Sequence, residues 1–179
     1  MREKTLFAVI VSFLFVGVAS GVLNTEIRYE ITDLGAGRWE YTYTVLNKPE
    51  SLIEHVEEFT IWFDYDLYDN LTITTGNPPS SGWNEIVIQP EPVLEDDGAY
   101  DAKTLGLGIG VSESVSGFSV SFDWLGTGEP GSQLYHIVDP DNYPVPIETG
   151  STVPEPATLL LLGLGVLIMR REKNNNRNF

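Results

Sequence analysis

The chain has 179 residues, room for one domain of ordinary size, and its 26 acidic against 10 basic side chains leave a net charge of −16 at pH 7. Residues 22–153 are more acidic still, with 23 acidic against 4 basic side chains, a field that repels phosphate backbones and excludes nucleic acid as a partner. No cysteine is present, which excludes disulfides, thiolate metal sites and cysteine nucleophiles.

At the start of the chain Arg2 and Lys4 precede an uncharged, apolar-rich stretch over residues 5–18, followed by the small residues Ala19, Ser20 and Gly21. A basic start, a short apolar run and a small-residue exit are the three parts of a secretory signal peptide. Residues 1–21 are therefore expected to direct export and to be removed by signal peptidase after Ala19 or Gly21.

From residue 22 to residue 150 the pattern has period two, the mark of half-buried strands. Ile27, Tyr29 and Ile31 alternate with polar neighbours and, after a Gly-containing turn at residues 33–37, Trp39, Tyr41, Tyr43 and Val45 do the same. Further strands are expected over residues 58–63, 71–74, 83–89, 105–111, 118–124 and 134–138. Turn-rich stretches at 76–82 and 126–132 separate them. Short strands at near-regular spacing, with no amphipathic helix of three turns, predict an all-β fold: an immunoglobulin-like or jelly-roll-like two-sheet sandwich. Trp39, Tyr41, Tyr43, Phe59, Phe63, Phe118, Phe122 and Trp124 are the expected aromatic core. In residues 105–111 (LGLGIGV) apolar residues alternate with bare glycines, as where another backbone packs closely.

Little in this body points to chemistry. His55 and His136 fall in different expected elements with no metal-ligand spacing around them, and no nucleophile elbow, phosphate loop or zinc-protease motif is present. A glycosidase needs two carboxylates at a set separation across a cleft, and the acidic residues are too many for the sequence to single out a pair. No enzymatic activity is expected. Asp64, Asp66 and Asp69 with Asn70, and Asp96, Asp97 and Asp101 after Glu95, gather oxygen ligands in expected loops that calcium would accept. Neither stretch matches the EF-hand loop, and turn capping or solvation is the favoured role. Calcium is the one cofactor considered.

The C-terminus reads Val153-Pro154-Glu155-Pro156, then an apolar run over residues 157–169, then Arg170, Arg171, Glu172 and Lys173. The residue before a proline is pushed into extended geometry, so Val153 and Glu155 are expected to be extended. Pro156 suits the first turn of a helix. Eight Leu, Ile and Val residues between 159 and 168 favour insertion by about 2–5 kcal/mol in total, with Arg170 and Arg171 as the membrane stop. At about 1.5 Å per residue the run spans roughly 20 Å against a hydrocarbon core near 30 Å, so the transmembrane helix is short.

In this order the three parts resemble the PEP-CTERM sorting signal, with Pro154, Glu155 and Pro156 as its motif. Pro90-Glu91-Pro92 is the same tripeptide without an apolar run or basic stop, so the tripeptide alone carries no signal. The resemblance implies a Gram-negative bacterial protein processed by exosortase, passing transiently through the inner membrane with its body outside and then residing at the cell surface or beyond. It also brings exopolysaccharide into view as a partner. The expected organisation is a signal peptide over 1–21, a β-sandwich over 22–150, a sorting signal over 151–173 and a polar cytoplasmic end over 174–179. The functions left open are a structural or interaction role at the surface or in the matrix, a carbohydrate-binding module displaying Trp62, Trp83 or Tyr143, and, third, a secreted hydrolase.

Overall fold

Alternation builds the first hairpin. Strand β1 (Thr25–Gly35) buries Ile27 and Tyr29 and turns Arg28 and Glu30 outward, while β2 (Arg38–Asn47) buries Tyr41, Tyr43 and Val45. Side chains change face at every residue of a strand, so pairing Ile27 with Val45, Tyr29 with Tyr43 and Ile31 with Tyr41 sets these apolar groups on one side. This computed structural model describes residues 23–77, 79, 81–142 and 145–156. The expected signal peptide, Tyr143 and the apolar run with Arg170 and Arg171 lie outside the described residues.

The remaining strands are β3 (His55–Val56), β4 (Glu58–Phe63), β5 (Tyr68–Ile73), β6 (Trp83–Ile88), β7 (Gly98–Thr104), β8 (Ile109–Gly110), β9 (Ser114–Trp124), β10 (Leu134–Val138), β11 (Pro146–Ser151) and β12 (Val153–Pro154). They form two five-stranded sheets, ordered β12-β1-β2-β9-β5 and β11-β10-β4-β7-β6, and a two-stranded ribbon of β3 with β8. Among the described residues the structure is all-β, and the one parallel pairing joins β12 to β1.

The two sheets meet through rings. Phe59 of β4 stands edge-on to Phe118 of β9 with centroids 5.0 Å apart, Phe63 lies 6.1 Å from Phe122, and Tyr43 stacks 6.4 Å from Tyr100. Such pairs contribute about 0.5–1.5 kcal/mol each beyond their burial. Six of the eight aromatics expected in the core are fully buried, and Trp39 and Trp124 pack against it from the margin. Tyr29, Tyr68, Trp83, Tyr100 and Tyr135 complete it.

Buried phenols need partners, and two of them share one glutamine. Tyr43 donates to Gln133 Oε1 at 3.3 Å, Gln133 Nε2 donates to the Tyr68 hydroxyl at 3.3 Å, and Tyr41 donates to the Gly131 carbonyl at 2.6 Å. Burial pushes the Tyr41, Tyr43 and Tyr68 hydroxyls above the ordinary tyrosine range, so all three are neutral at physiological pH.

Two expectations are corrected here. Residues 105–111 are not a sandwich strand: only Ile109–Gly110 pairs, with His55–Val56, and Leu105 and Leu107 are exposed. Close backbone approach holds at Gly108, where φ is +83° and a Cβ would lie 2.4 Å from the Val56 carbonyl oxygen, whereas at Gly106 nothing lies within 4 Å. Conversely, Asp101 does not sit in a loop. It lies in β7, paired on both sides, with Thr60 of β4 and Ile86 of β6 opposite it.

The fold also runs past residue 150, where the sequence pattern ends. Strand β11 finishes the second sheet at Ser151, Thr152 is buried between the sheets' edges, and β12 crosses to the first sheet.

Candidate functional site

The crossing into β12 places the Pro154-Glu155-Pro156 motif against the body. Thr152 is locked to Gln133: its amide donates to the Gln133 carbonyl at 2.8 Å, and its Oγ1 accepts from the Gln133 amide at 2.9 Å. Val153 and Pro154 then lie beside Arg28 and Tyr29 in parallel register. Val153 is extended, as the proline after it requires. The Glu155 amide donates to the Tyr29 carbonyl at 2.8 Å, and its carboxylate reaches over β1 to accept from Thr44 Oγ1 of β2 at 3.0 Å. Glu30, Thr42, Thr44, Ser116 and Gly117 line the shallow concavity beside that carboxylate.

The other end of the body is held at the opposite corner of the same strand. Glu148 of β11 is nine-tenths buried and accepts from the Asn24 amide at 2.6 Å, the Asn24 side chain at 3.0 Å and the Thr25 amide at 2.9 Å. It also accepts from the Thr25 hydroxyl, which the Tyr135 hydroxyl meets at 3.2 Å. One carboxylate thus satisfies the donors at the start of β1 on the flank away from β2, where β12 pairs only with Arg28 and Tyr29.

The second copy of the tripeptide is folded into the body. Glu91 bridges Asp96 across a tight turn, with Glu91 N to Asp96 O at 2.9 Å, and Pro90 is buried against Gly98. Its position, closed on itself within the second sheet's connection, separates it from the C-terminal copy.

On the outer face of the second sheet, alternation in β4 turns Glu58, Thr60 and Trp62 away from the core. Together with Ala99 and Asp101 of β7, Ile86 and Ile88 of β6, and His136 and Val138 of β10 they line a concavity of about 300 Å³. Asp101 accepts from Thr60 Oγ1 at 2.8 Å. Glu58 is nine-tenths buried, and its nearest cation is the Lys103 ammonium at 3.8 Å. Burial pushes the Glu58 carboxyl above its ordinary range, Asp101 pushes it further and Lys103 opposes both. Burial also raises Asp101, against the Thr60 hydrogen bond. Trp62 Nε1 donates to His136 Nδ1 at 3.2 Å, so a neutral His136 carries its own proton on Nε2. Burial lowers the His136 pKa and keeps the ring neutral.

This grouping was not visible in the sequence, which left His136 alone and the carboxylates unsorted. The outward triplet Glu58-Thr60-Trp62 is its only local signal. Of the three aromatics considered for ligand display, Trp83 is buried in the core and Trp62 is half-buried at the concavity.

Of the aspartates considered for calcium, Asp64 and Asp97 meet at one concavity and the others lie outside its lining. Asp64 Oδ1 accepts from the Asp66 amide at 2.8 Å and Asp97 Oδ1 from the Tyr65 amide at 3.1 Å, while Asp69 Oδ1 holds the Asn70 amide at 2.7 Å. Asp96 belongs to the turn before β7, and Asp101 faces the concavity. Among the described residues no three His, Asp or Glu side chains gather as a metal-holding group. His55 lies on the β3–β8 ribbon and His136 on β10 of the second sheet.

The family model of the PEP-CTERM protein-sorting motif matches residues 152–173. The chain therefore carries that motif and is an exported exosortase substrate, with the match beginning at the buried Thr152. No curated protein matches the sequence. Solved structures with a similar arrangement include a GH20 exo-β-N-acetylglucosaminidase from Vibrio harveyi (11% identity over 75% of this chain and 18% of that chain, TM-score 0.41). The major pilin SpaA of Corynebacterium diphtheriae is similar at 16% identity over 70% of this chain and 34% of the pilin (TM-score 0.42). A cohesin module of a Clostridium perfringens glycoside hydrolase is similar at 10% identity over 73% of this chain and 98% of the module (TM-score 0.41). The chain spans under a fifth of the glucosaminidase and about a third of the pilin. At such TM-scores these likenesses carry no inference about activity.

Proposed function

We propose that this protein is a non-catalytic surface or matrix component, exported across the inner membrane and released from it through the tail at residues 152–173. The matched motif, continuous with the end of the sandwich at Thr152, carries this reading. In it, signal peptidase removes residues 1–21, the apolar run holds the chain in the inner membrane with the body outside, and exosortase processing frees the body to act in a structural or interaction role. The test is fractionation of full-length protein in an exosortase-containing host. Alanine at Pro154, Glu155 and Pro156 should strand the protein in the inner membrane. Alanine at Glu91 and Pro92, which leaves the buried Pro90 in place, should not. Normal release of the tail variant overturns the proposal.

A second reading, carbohydrate binding, is favoured by the concavity on the second sheet. Trp62, Ile86 and Ile88 give it an apolar wall, while Glu58, Asp101 and His136 supply acceptors and a donor for hydroxyl groups. Soluble polysaccharide should then quench or shift Trp62 fluorescence, and Trp62→Ala should abolish retention on a polysaccharide gel. Equal retention of both proteins rules this reading out.

A further inference from the structure

We infer that the sandwich controls access to its own sorting motif, with Tyr29, Thr44 and Gln133 as the positioning residues. The inference rests on the reading that the tail is processed. Everything a processing enzyme would recognise in an extended Pro-Glu-Pro strip is its backbone edge, its carboxylate and its two rings. In the folded body the Glu155 amide is taken by the Tyr29 carbonyl and its carboxylate by Thr44 Oγ1, while Val153 and Pro154 lie along Arg28 and Tyr29. The anchor behind them is firm. Thr152 is 1% exposed and exchanges hydrogen bonds with Gln133, which is itself 4% exposed and tied to Tyr43 and Tyr68 in the core. The contacts beyond it are few and exposed, the kind that open locally without global unfolding.

The arrangement is a clasp of unequal halves. Thr152 stays fixed as a hinge point, while β12 and Glu155 peel from the edge of β1. Peeling frees the Glu155 carboxylate and exposes the backbone of residues 153–155 to a partner, as strand-adding recognition requires. The docked form is closed to processing and the peeled form is competent. Observed processing therefore scales with the fraction peeled.

The natural chain has no cysteine, so a cross-strand disulfide gives a clean lock. Arg28 and Val153 are direct partners on adjacent strands, within the spacing a disulfide spans. Full-length Arg28→Cys/Val153→Cys, made in an exosortase-containing host, should form the bond during export. Processing, followed by intact mass, should be slowed about tenfold or more, as expected when the competent fraction falls by that factor, and reductant should restore it. Either single-cysteine variant should be processed like the natural protein. Thr44→Val, which keeps the strand and deletes the hydroxyl, should speed processing several-fold, whereas Thr44→Ser should not, an outcome that general destabilisation of the body would not give.

Processing of the oxidised double variant at the natural rate overturns the inference, because the docked motif would then be the form the enzyme reads. Hydrogen exchange on the full chain separates this from failure of the sorting reading. If the natural protein is not processed at all, the sorting reading falls. The clasp is then judged on the Glu155 amide alone: protection lost in Thr44→Val and kept in Thr44→Ser supports it, and an unprotected amide in the natural protein overturns it.

Discussion

Replacing Glu148 tests whether the first strand is held by chemistry or merely by packing. Its carboxylate accepts from two backbone amides and two side chains of Asn24 and Thr25, and Thr25 is fully buried. A hydrogen bond to a charged acceptor is worth about 1.5–3 kcal/mol net, and each buried donor left without a partner costs about 1–3 kcal/mol. Removing the desolvated charge returns part of this. Glu148→Ala should therefore cost about 3–5 kcal/mol. Glu148→Gln keeps one oxygen but turns an NH₂ toward the donors, so about half that cost is expected. For a body of this size 1 kcal/mol moves the melting temperature by about 3–4 °C, which predicts a fall of about 10–20 °C for the alanine variant. Circular-dichroism melting of the full chain in mild detergent reads it. A fall of less than about 3 °C for Glu148→Ala would show that the clamp contributes nothing and that the start of β1 is held by Ile27 and Tyr29 alone.

Gly108→Ala combines a positive φ with a backbone clash at Val56 and should lower stability by about 2–5 kcal/mol in a urea titration; Gly106→Ala, in open space, should be neutral, and equal effects would refute the assignment of the close approach to Gly108. The pH dependence follows from Glu58 and Asp101, whose folded-state pKa values burial raises. Between their ordinary values near 4 and the raised ones the folded protein binds more protons than the unfolded chain, so stability falls as pH rises through that window. The melting temperature should climb as the pH is lowered toward the ordinary carboxylate range, against an opposing contribution from His136, whose lowered pKa lets the unfolded chain bind more protons below the ordinary histidine value, and Glu58→Gln/Asp101→Asn should remove the climb. Asp123, held low by the Asn70 hydrogen bond and by Arg38, acts in the opposite sense only at more acid pH.

What the sequence revealed of the fold was its strong alternation. The strands built on Tyr41-Tyr43-Val45, Phe59-Ile61-Phe63 and Phe118-Val120-Phe122 declare themselves because every second side chain is large and apolar. Of the four that escaped, β3 is only two residues long, and the other three have physical reasons. Strand β7 is an interior strand of the second sheet, yet only Tyr100 is a large inward residue, and Asp101 after Glu95, Asp96 and Asp97 reads as part of an acidic loop. Strand β11 turns Glu148 and Gly150 inward, one to clamp the first strand and the other because a Cβ would meet the Tyr135 ring at 2.5 Å, so no apolar alternation exists to be read. Strand β12 is two residues long and contains a proline. The error at residues 105–111 is the converse, an alternation produced by glycines in an exposed connection. The sorting motif was legible because it is linear. Its contacts with Tyr29, Thr44 and Gln133 were not, because they are made by a fold that returns its last strand to its first.

That return sets an order of assembly. The residues that Glu148 holds lie 123 and 124 positions away from it, and β12 is later still, so the partners on one flank of β1 belong to the last part of the body to be synthesised. Until they arrive β1 has only β2 beside it, and one edge of the first sheet stays open. Contacts so distant along the chain form slowly, and an open edge invites a neighbouring chain to pair with it. On the proposed route the sandwich is sealed only as its tail reaches the bilayer, so the completeness of the cargo would be reported at the place where its release is decided.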